Sequence, residues 1–311
     1  MPHPRAWILT EDYAGLRAQA QGLAEAAGLD PESRTLRARG LWRRLPPEWW
    51  PFPLAAVESA ALAPPLPELL LGCGGKAAAV LAALRGRTRT VIVQHPRRDP
   101  RQFDLVVAAR HDLLRGPNVV VTRTALHRAT PERLAAAATT WAPRLAHLPR
   151  PLVAVLVGGA NGRFRLDLPH GEAFAVQLAA MMRADRVGLA LTPSRRTDPA
   201  VTRALEAALR PLGGFVWDMT GDNPYFGLLA LADAIVVTGD SVSMMSEAVA
   251  THAPVLLQRL PGRSARIARF LDSLVDDGRV RPYEGRLALW DAAPLDDTPM
   301  AAAEMRRRLG F

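Results

Sequence analysis

Ala234-Ile-Val-Val-Thr-Gly-Asp-Ser-Val-Ser-Met-Met-Ser-Glu247 begins as an apolar, β-branched run and passes through Gly239-Asp-Ser241 into a stretch with helical spacing. The simplest reading is a buried parallel strand, a tight turn and a helix. A helix entered through small hydroxylated residues points free backbone N–H groups and a partial positive charge toward the strand's carboxyl end, which suits an anion. The candidate contacts are Ser241, Val242, Ser243 and Ser246. Glu247 would repel a phosphate but can accept hydrogen bonds from ribose hydroxyls. The plainer alternative is that Asp240 or Ser241 only caps the helix and Glu247 is a solvated helix residue.

The same strand-and-helix alternation extends in both directions. Trp7 to Thr10, Leu69 to Leu71, Thr90 to Val93, Asp104 to Val107 and Asn118 to Val121 read as strands of a first half. Helices are predicted from Gly15 to Ala27 and from Pro131 to Ala146. His147-Leu-Pro-Arg-Pro151 then breaks the pattern. A second set of strands follows at Leu152 to Val157, Val187 to Leu191, Phe215 to Trp217, Ala234 to Thr238 and Val255 to Gln258. Near-continuous apolar strands separated by helices predict an α/β protein of two doubly wound, Rossmann-like domains facing a cleft. The expected boundaries are 1–148, 149–295 and a C-terminal segment, 296–311. In the last, Asp297 or Thr298 caps a helix begun by Pro299, which packs back on the first domain. Gly40 to Pro67, rich in proline and carrying Trp42, Trp49, Trp50 and Phe52, fits no simple alternation. It reads as a surface connection, or as a loop that touches an acceptor or a membrane.

At 311 residues, the chain is long for a single core. Its composition, 49% hydrophobic and 22% charged, is that of a globular protein. The net charge of +9 is carried almost wholly by scattered arginines, Lys76 being the sole lysine. Such a balance favours anionic partners, and phosphorylated ligands first. Nucleic acid is disfavoured by the lack of any zinc-finger, RNP1-like or long basic-helix pattern. Cys73 stands alone, which excludes an internal disulfide and a multi-cysteine metal site. Met1 to Arg5 lead directly into Trp7-Ile-Leu-Thr10 without a signal-peptide core, and no run of 18 apolar residues occurs. A cytoplasmic protein is expected, with any membrane contact peripheral and at the inner face.

Three further turns of the second half should open at the same sheet edge as Ser241. Gly158-Gly-Ala-Asn161 offers close backbone approach through Gly158 and Gly159. In the turn that holds Ser194, Arg195 and Arg196, the two arginines offer guanidinium groups for phosphate oxygens. The turn from Trp217 through Met219 to Tyr225 offers backbone groups or an aromatic face to a base.

The run from Asn223 to Ala248 resembles the mitochondrial-fission ("elongated mitochondria") family of proteobacteria and plants. So do Trp7 to Thr10 with Gly15 and Gln19, Leu71-Gly-Cys-Gly74, His111-Asp112, Arg115 to Asn118, Thr122-Arg123, Ala125 to Arg128, Ser194 to Arg196 and Val280 to Pro282. That family is similar in turn to GT-B glycosyltransferases, especially the N-acetylglucosaminyltransferase that completes the lipid-linked peptidoglycan precursor. The resemblance implies a nucleotide diphosphate-sugar in the second domain, near Gly158, Gly159, Ser194, Arg195, the Trp217 to Tyr225 turn and Ser241 to Glu247. It implies an acceptor, soluble or lipid-linked, facing the loop after the first strand. Those transferases carry a glycine where Ser241 stands and a threonine where Met244 stands. The loop after the first strand is usually Asp-Gly-basic there, and Glu11-Asp12-Tyr13 here. The plant members recruit a dynamin-type protein partner, so a non-catalytic adaptor is a second reading, and a nucleotide-sugar epimerase a third.

Gly72-Cys-Gly-Gly-Lys-Ala77 satisfies a loose dinucleotide fingerprint, but the next strand ends in Gln94 and His95, without a carboxylate for a ribose. It reads better as a tight helix start on the acceptor side, with Gly15, Gln19, Gly72 and Gly74. No Asp-x-Asp motif or histidine pair at metal-ligand spacing is present, so metal-independent chemistry that requires no cofactor is expected. Candidate bases for an acceptor hydroxyl are Asp12, His95, His111 and Asp112, each near a predicted strand end.

Overall fold

The computed structural model describes residues 4–311; Met1 to His3, where the reading of a missing signal peptide begins, lie outside the described residues. The chain divides into two compact units. One runs to Arg128 and resumes at Asp296–Phe311; the other is Ala129–Leu295.

In the first unit the strands are β1 (Ala6–Thr10), β2 (Glu32–Thr35), β3 (Leu69–Cys73), β4 (Arg89–Val93), β5 (Leu105–Ala109) and β6 (Val119–Thr122). They form a parallel sheet in the order β2-β1-β3-β4-β5-β6. In the second the strands are β7 (Leu152–Val157), β8 (Gly188–Pro193), β9 (Phe215–Val216), β10 (Ala234–Thr238), β11 (Val255–Gln258) and β12 (Val280–Pro282). Their order is β12-β11-β10-β7-β8-β9. Both sheets carry apolar clusters on each face, which is why β1, β3, β5, β7, β8 and β10 are buried along their whole length.

Strand order reverses between β1 and β3 in the first sheet and between β7 and β10 in the second. At such a switch point the connections leave toward opposite faces, so a crevice opens beyond the strands' carboxyl ends. Two strands escape the apolar-run criterion. β2 (Glu-Ser-Arg-Thr) and β12 (Val-Arg-Pro) are both edge strands, where polar side chains face solvent and proline is tolerated.

The helices are α1 (Ala14–Ala26), α2 (Gly75–Leu84), α3 (Pro131–Leu145), α4 (Leu168–Asp185), α5 (Pro199–Leu209), α6 (Tyr225–Leu231), α7 (Val242–Val249), α8 (Ala265–Asp276) and α9 (Thr298–Leu309). Local chemistry starts several of them. Thr130, Asp167 and Asp198 each accept a first-turn N–H at the cap of a helix with proline at its first or second position, and Ser264 caps α8. On α8 the residues Ile267, Phe270, Leu271 and Leu274 recur at helical spacing and are buried. The division between units falls before α3 rather than at His147–Pro151, because α3 packs along α6 and its Trp141 joins the second unit's core.

α9 packs on α1, as expected of a helix returning to the first domain. Its start differs from expectation. Asp297 stands at the cap position but makes no cap bond. Its buried carboxylate accepts from the backbone N–H of Arg123 at 2.5 Å and from the Arg123 guanidinium. Burial acts to raise this carboxyl's pKa, but the bonds from Arg123 outweigh it and hold it below the ordinary value. Asp296 takes the first helical N–H instead, at 2.8 Å from Thr298 N. Asp297→Ala removes the carboxylate that the Arg123 backbone N–H and guanidinium engage. It is expected to destabilise the protein by about 1–3 kcal/mol in urea unfolding; an unchanged midpoint would show that Arg123 does not anchor α9.

Candidate functional site

At the switch point of the second sheet, the side chain that decides the geometry is Asp240. Its carboxylate is fully buried. It accepts from Thr238 Oγ1 at 2.8 Å and from the backbone N–H of Gly159 at 3.1 Å, and it pairs with Arg196 Nη2 at 2.8 Å. Thr238 Oγ1 also accepts from Gly158 N at 2.7 Å, Arg196 Nη1 donates to Gly159 O at 2.9 Å, and Asn161 Nδ2 donates to Asp240 O at 3.0 Å. Thr197, bonded to Ser194 and to the carbonyl of Gly158, closes the network.

Gly158, Gly159, Asn161, Ser194 and Arg196 are thus brought together, around an internal anion. The paired glycines have an internal reason to be glycines: a Cβ at Gly158 would lie 2.1 Å from Asp240 Oδ1, and one at Gly159 2.0 Å from Arg196 O. Arg195 is exposed beside them.

Asp240 does not cap α7. Ser241 does, accepting from Met244 N at 3.3 Å. Ser241, Val242 and Ser243 are half-buried on the first turn, while Ser246 is fully buried. The far end of α7 is fixed by Arg279, whose buried guanidinium donates to the carbonyls of Val249, Thr251 and Ala253. Burial lowers the pKa of Arg279 to about 10.

Glu247 is buried too, and it is not a solvated helix residue. The Tyr225 hydroxyl, at the start of α6, donates to Glu247 Oε2 at 2.5 Å. Burial pushes the Glu247 carboxyl up to about 7, against the opposing effects of the Tyr225 hydrogen bond and the Arg133 charge. Burial, followed by the neighbouring Glu247 charge and its hydrogen bond, drives the Tyr225 phenol well above 10, so it stays a donor. Trp217 and Met219 lie beyond β9, at the edge of the sheet. Trp217 Nε1 donates to Thr220 O at 2.7 Å, Met219 is exposed at φ +69°, and Trp217 lines a groove of about 320 Å³ with Trp141, Arg144, Phe215 and Asp222.

The first sheet repeats the theme at its own switch point. Glu11, just beyond β1, accepts from Lys76 Nζ at 2.8 Å and reaches Lys76 N, on the first turn of α2, at 3.5 Å. Gly74 (φ +100°) lies against Leu16 and Glu11, and Gly72 against Ala77. Gln19 is buried and bonds back to Gly15 O. The four candidate bases do not converge. Asp12 is exposed and paired with Arg17, His95 is exposed beyond β4, and His111 and Asp112 lie buried together beyond β5, with Nε2 and Oδ1 3.8 Å apart. Three strand spacings, about 14 Å, separate the ends of β1 and β5. Among the described residues no group of three or more His, Cys, Asp or Glu side chains is placed to hold a metal, and no helix is long and apolar enough to cross a membrane.

Sequence reading singled out neither Asp240, Thr238 and Thr197 nor the pair Glu11–Lys76 as parts of a site. For Thr238 the available signal was a threonine ending a buried strand next to glycine, where a hydroxyl can satisfy turn N–H groups.

Residues 14–309 match the family described as Mitochondrial fission ELM1. The chain belongs to that family. It is 32% identical over 280 residues to the Mitochondrial fission protein ELM1 of Arabidopsis thaliana, covering 78% of this chain and 64% of the plant protein. The chain spans less than two thirds of the length of the curated relatives it matches. Among solved structures, this ELM1-family chain is similar to a UDP-GlcNAc 2-epimerase from Neisseria meningitidis bound to UDP-GlcNAc. The TM-score is 0.57 at 10% identity, covering 98% of this chain and 99% of that one. It is also similar to a UDP-glucosyltransferase from Polygonum tinctorium, with a TM-score of 0.56 at 13% identity, covering 100% and 90%. Likeness at such identity shows the fold, and the fold is GT-B-like.

Two predictions test the site without any ligand. Gly158→Ala forces a methyl into the Asp240 carboxylate and should cost about 1–3 kcal/mol. The double variant with Asp240→Ala should cost less than the two single variants together, and strict additivity would refute the contact. For Glu247, the unfolded chain loses its proton near pH 4.5 and the folded chain near 7. Between those values the native state binds more protons, so stability falls as pH rises; the penalty is absent below about 4.5 and complete above about 7, on the order of 3 kcal/mol. Glu247→Gln keeps an acceptor for Tyr225 and should raise the unfolding temperature at pH 8 but not at pH 4.5. An equal effect at both pH values would show that Glu247 is not held protonated by burial.

Proposed function

We propose that the second unit binds a nucleoside diphosphate-sugar, with Glu247 accepting hydrogen bonds from ribose hydroxyls and the first turn of α7 facing the diphosphate. The observation that carries this reading is the Glu247–Tyr225 pair. A helix that needed only packing would take an apolar residue at that position, whereas a buried carboxylate held near neutrality is costly and typical of sites with work to do. The half-buried N-terminus of α7 supports the phosphate assignment, since the backbone N–H groups of a helix start and its dipole favour an anion. The neighbours whose descriptions name a UDP-sugar substrate or ligand support the ligand class. In such a site the leaving diphosphate would be stabilised by these N–H groups, and the reaction favoured is metal-independent transfer of the sugar to an acceptor. A nucleotide-sugar epimerase is the other enzymatic reading. No base is assigned.

One observation favours a second reading, a non-catalytic adaptor that binds a protein partner or a membrane surface. Asp240 and Arg196 already fill the anion position between β7 and β10. Calorimetric titration with UDP-, GDP-, ADP- and dTDP-sugars separates the two. One of these should bind the native chain, and Glu247→Ala should weaken it about 10- to 100-fold. If none binds at millimolar concentration, the nucleotide-sugar reading fails and the adaptor stands. If one binds, product analysis distinguishes a transferred sugar from an epimerised one.

A further inference from the structure

Residues 39–55 of the first unit form a surface that the nucleotide-sugar reading does not use. Leu41 is 76% exposed, Trp49 71% and Phe52 69%. These side chains are presented by a braced segment. Trp50 is buried, meets Trp42 edge-on at 6.5 Å and donates from Nε1 to Leu45 O at 3.2 Å. Arg39 N donates to Ala56 O at 2.8 Å, and Arg98 Nη2 donates to Pro47 O at 2.6 Å. Large apolar side chains held out into water on a fixed scaffold mark an interaction surface.

The charges of the segment say what kind. Arg39, Arg43 and Arg44 are exposed, and among the described residues none of them forms an ion pair. Glu48 is the only acidic residue between positions 39 and 55, and Arg97 pairs with it at 3.3 Å. Arg39 lines an open groove of about 500 Å³ together with Leu41, Trp42, Leu45 and Ala55. Tryptophan, phenylalanine and leucine interleaved with uncompensated arginine match the boundary between anionic headgroups and acyl chains. The rings enter the interface and the guanidinium groups stay at phosphate level.

We infer that this segment is a peripheral membrane-binding surface that takes an anionic phospholipid bilayer, with Trp49 and Phe52 entering it and Arg39, Arg43 and Arg44 engaging lipid phosphates. Binding requires both parts. Each arginine near an anionic surface contributes about fivefold in affinity, and the aromatic pair supplies the apolar anchor.

The test is co-sedimentation of the full chain with vesicles of phosphatidylcholine alone and of phosphatidylcholine mixed with phosphatidylglycerol, at low and high salt. The native chain should sediment with the anionic vesicles at low salt, with a blue shift of tryptophan emission, and not with the neutral ones. Arg43→Glu with Arg44→Glu should weaken binding at least about thirtyfold. Trp49→Ser with Phe52→Ser should weaken it at least about tenfold and abolish most of the blue shift. Because the replaced side chains are exposed, both variants should melt as the native chain does, which separates lost binding from misfolding. Failure of the native chain to bind anionic vesicles overturns the inference, as does undiminished binding by the folded variants. A concentration-dependent dimer lost in the Trp49/Phe52 variant, without vesicle binding, would assign the surface to a second copy of the chain and overturn it equally.

Discussion

The second unit is organised around a buried negative charge. Asp240 places a carboxylate where the order of the sheet reverses, a position that two turns, a strand end and a helix start all border. An isolated carboxylate there would not survive desolvation, so the surrounding chain is committed to satisfying it. Thr238 supplies a hydroxyl, Gly159 an N–H and Arg196 a charge. Arg196 is itself held by the Gly159 carbonyl. The requirement propagates outward: Gly158 and Gly159 must lack side chains, and Thr197 must turn back to the end of β7. Since Asp240 is engaged with β7, the capping of α7 falls to Ser241, which leaves the first turn of that helix half-open.

A comparable solution stands at the reversal in the first sheet, where Glu11 is paired with Lys76 over the start of α2. In both sheets the crevice that strand order creates holds a carboxylate of the chain itself, opposed by a cation from a neighbouring turn or helix. The physical reason is shared. Parallel strands ending at a switch point leave backbone N–H groups of the following turn or helix directed into one space, and something must accept from them. A bound anion can do so, and so can an internal acid.

How much of this the sequence revealed follows from the range of each interaction. β7, β10 and β11 were legible to the residue, because apolar β-branched runs between turn signals are a local property. α3 and α9 were legible, with Pro131 and Pro299 at their starts. The edge strands β2 and β12 were not, since their strand character comes from pairing with β1 and β11 and not from their own residues. The compact units divide before α3, about 20 residues ahead of the expected boundary, for a similar reason: the prolines around Pro149 break the backbone pattern, but they do not tell which core Trp141 enters. For the site, residue types at the edge were found while their partners were not. Arg196 reads equally well as a phosphate clamp or as the counter-ion of an acid some 40 residues away in sequence, and only the fold decides. Glu247 was read with a solvated helix residue as its alternative, because burial of a carboxylate depends on Tyr225, supplied by another helix.

Asp240 and Glu247 sit on one strand-helix unit and show two opposite electrostatic solutions. Asp240 is met by a guanidinium, a hydroxyl and a backbone N–H, so its burial is compensated locally. Glu247 is met by a phenol that donates one bond, with Arg133 acting through its charge alone, and its carboxyl is consequently driven to about 7. A carboxyl poised between its two forms, with acceptor capacity beyond the single bond from Tyr225, gains most from a ligand that brings further hydroxyl donors, because each added bond favours the ionised form. A sugar ring with vicinal hydroxyls is such a ligand. The balance between the two acids therefore separates their roles within the turn: Asp240 makes the architecture, and Glu247 is the acid on which the proposed recognition of a ligand rests.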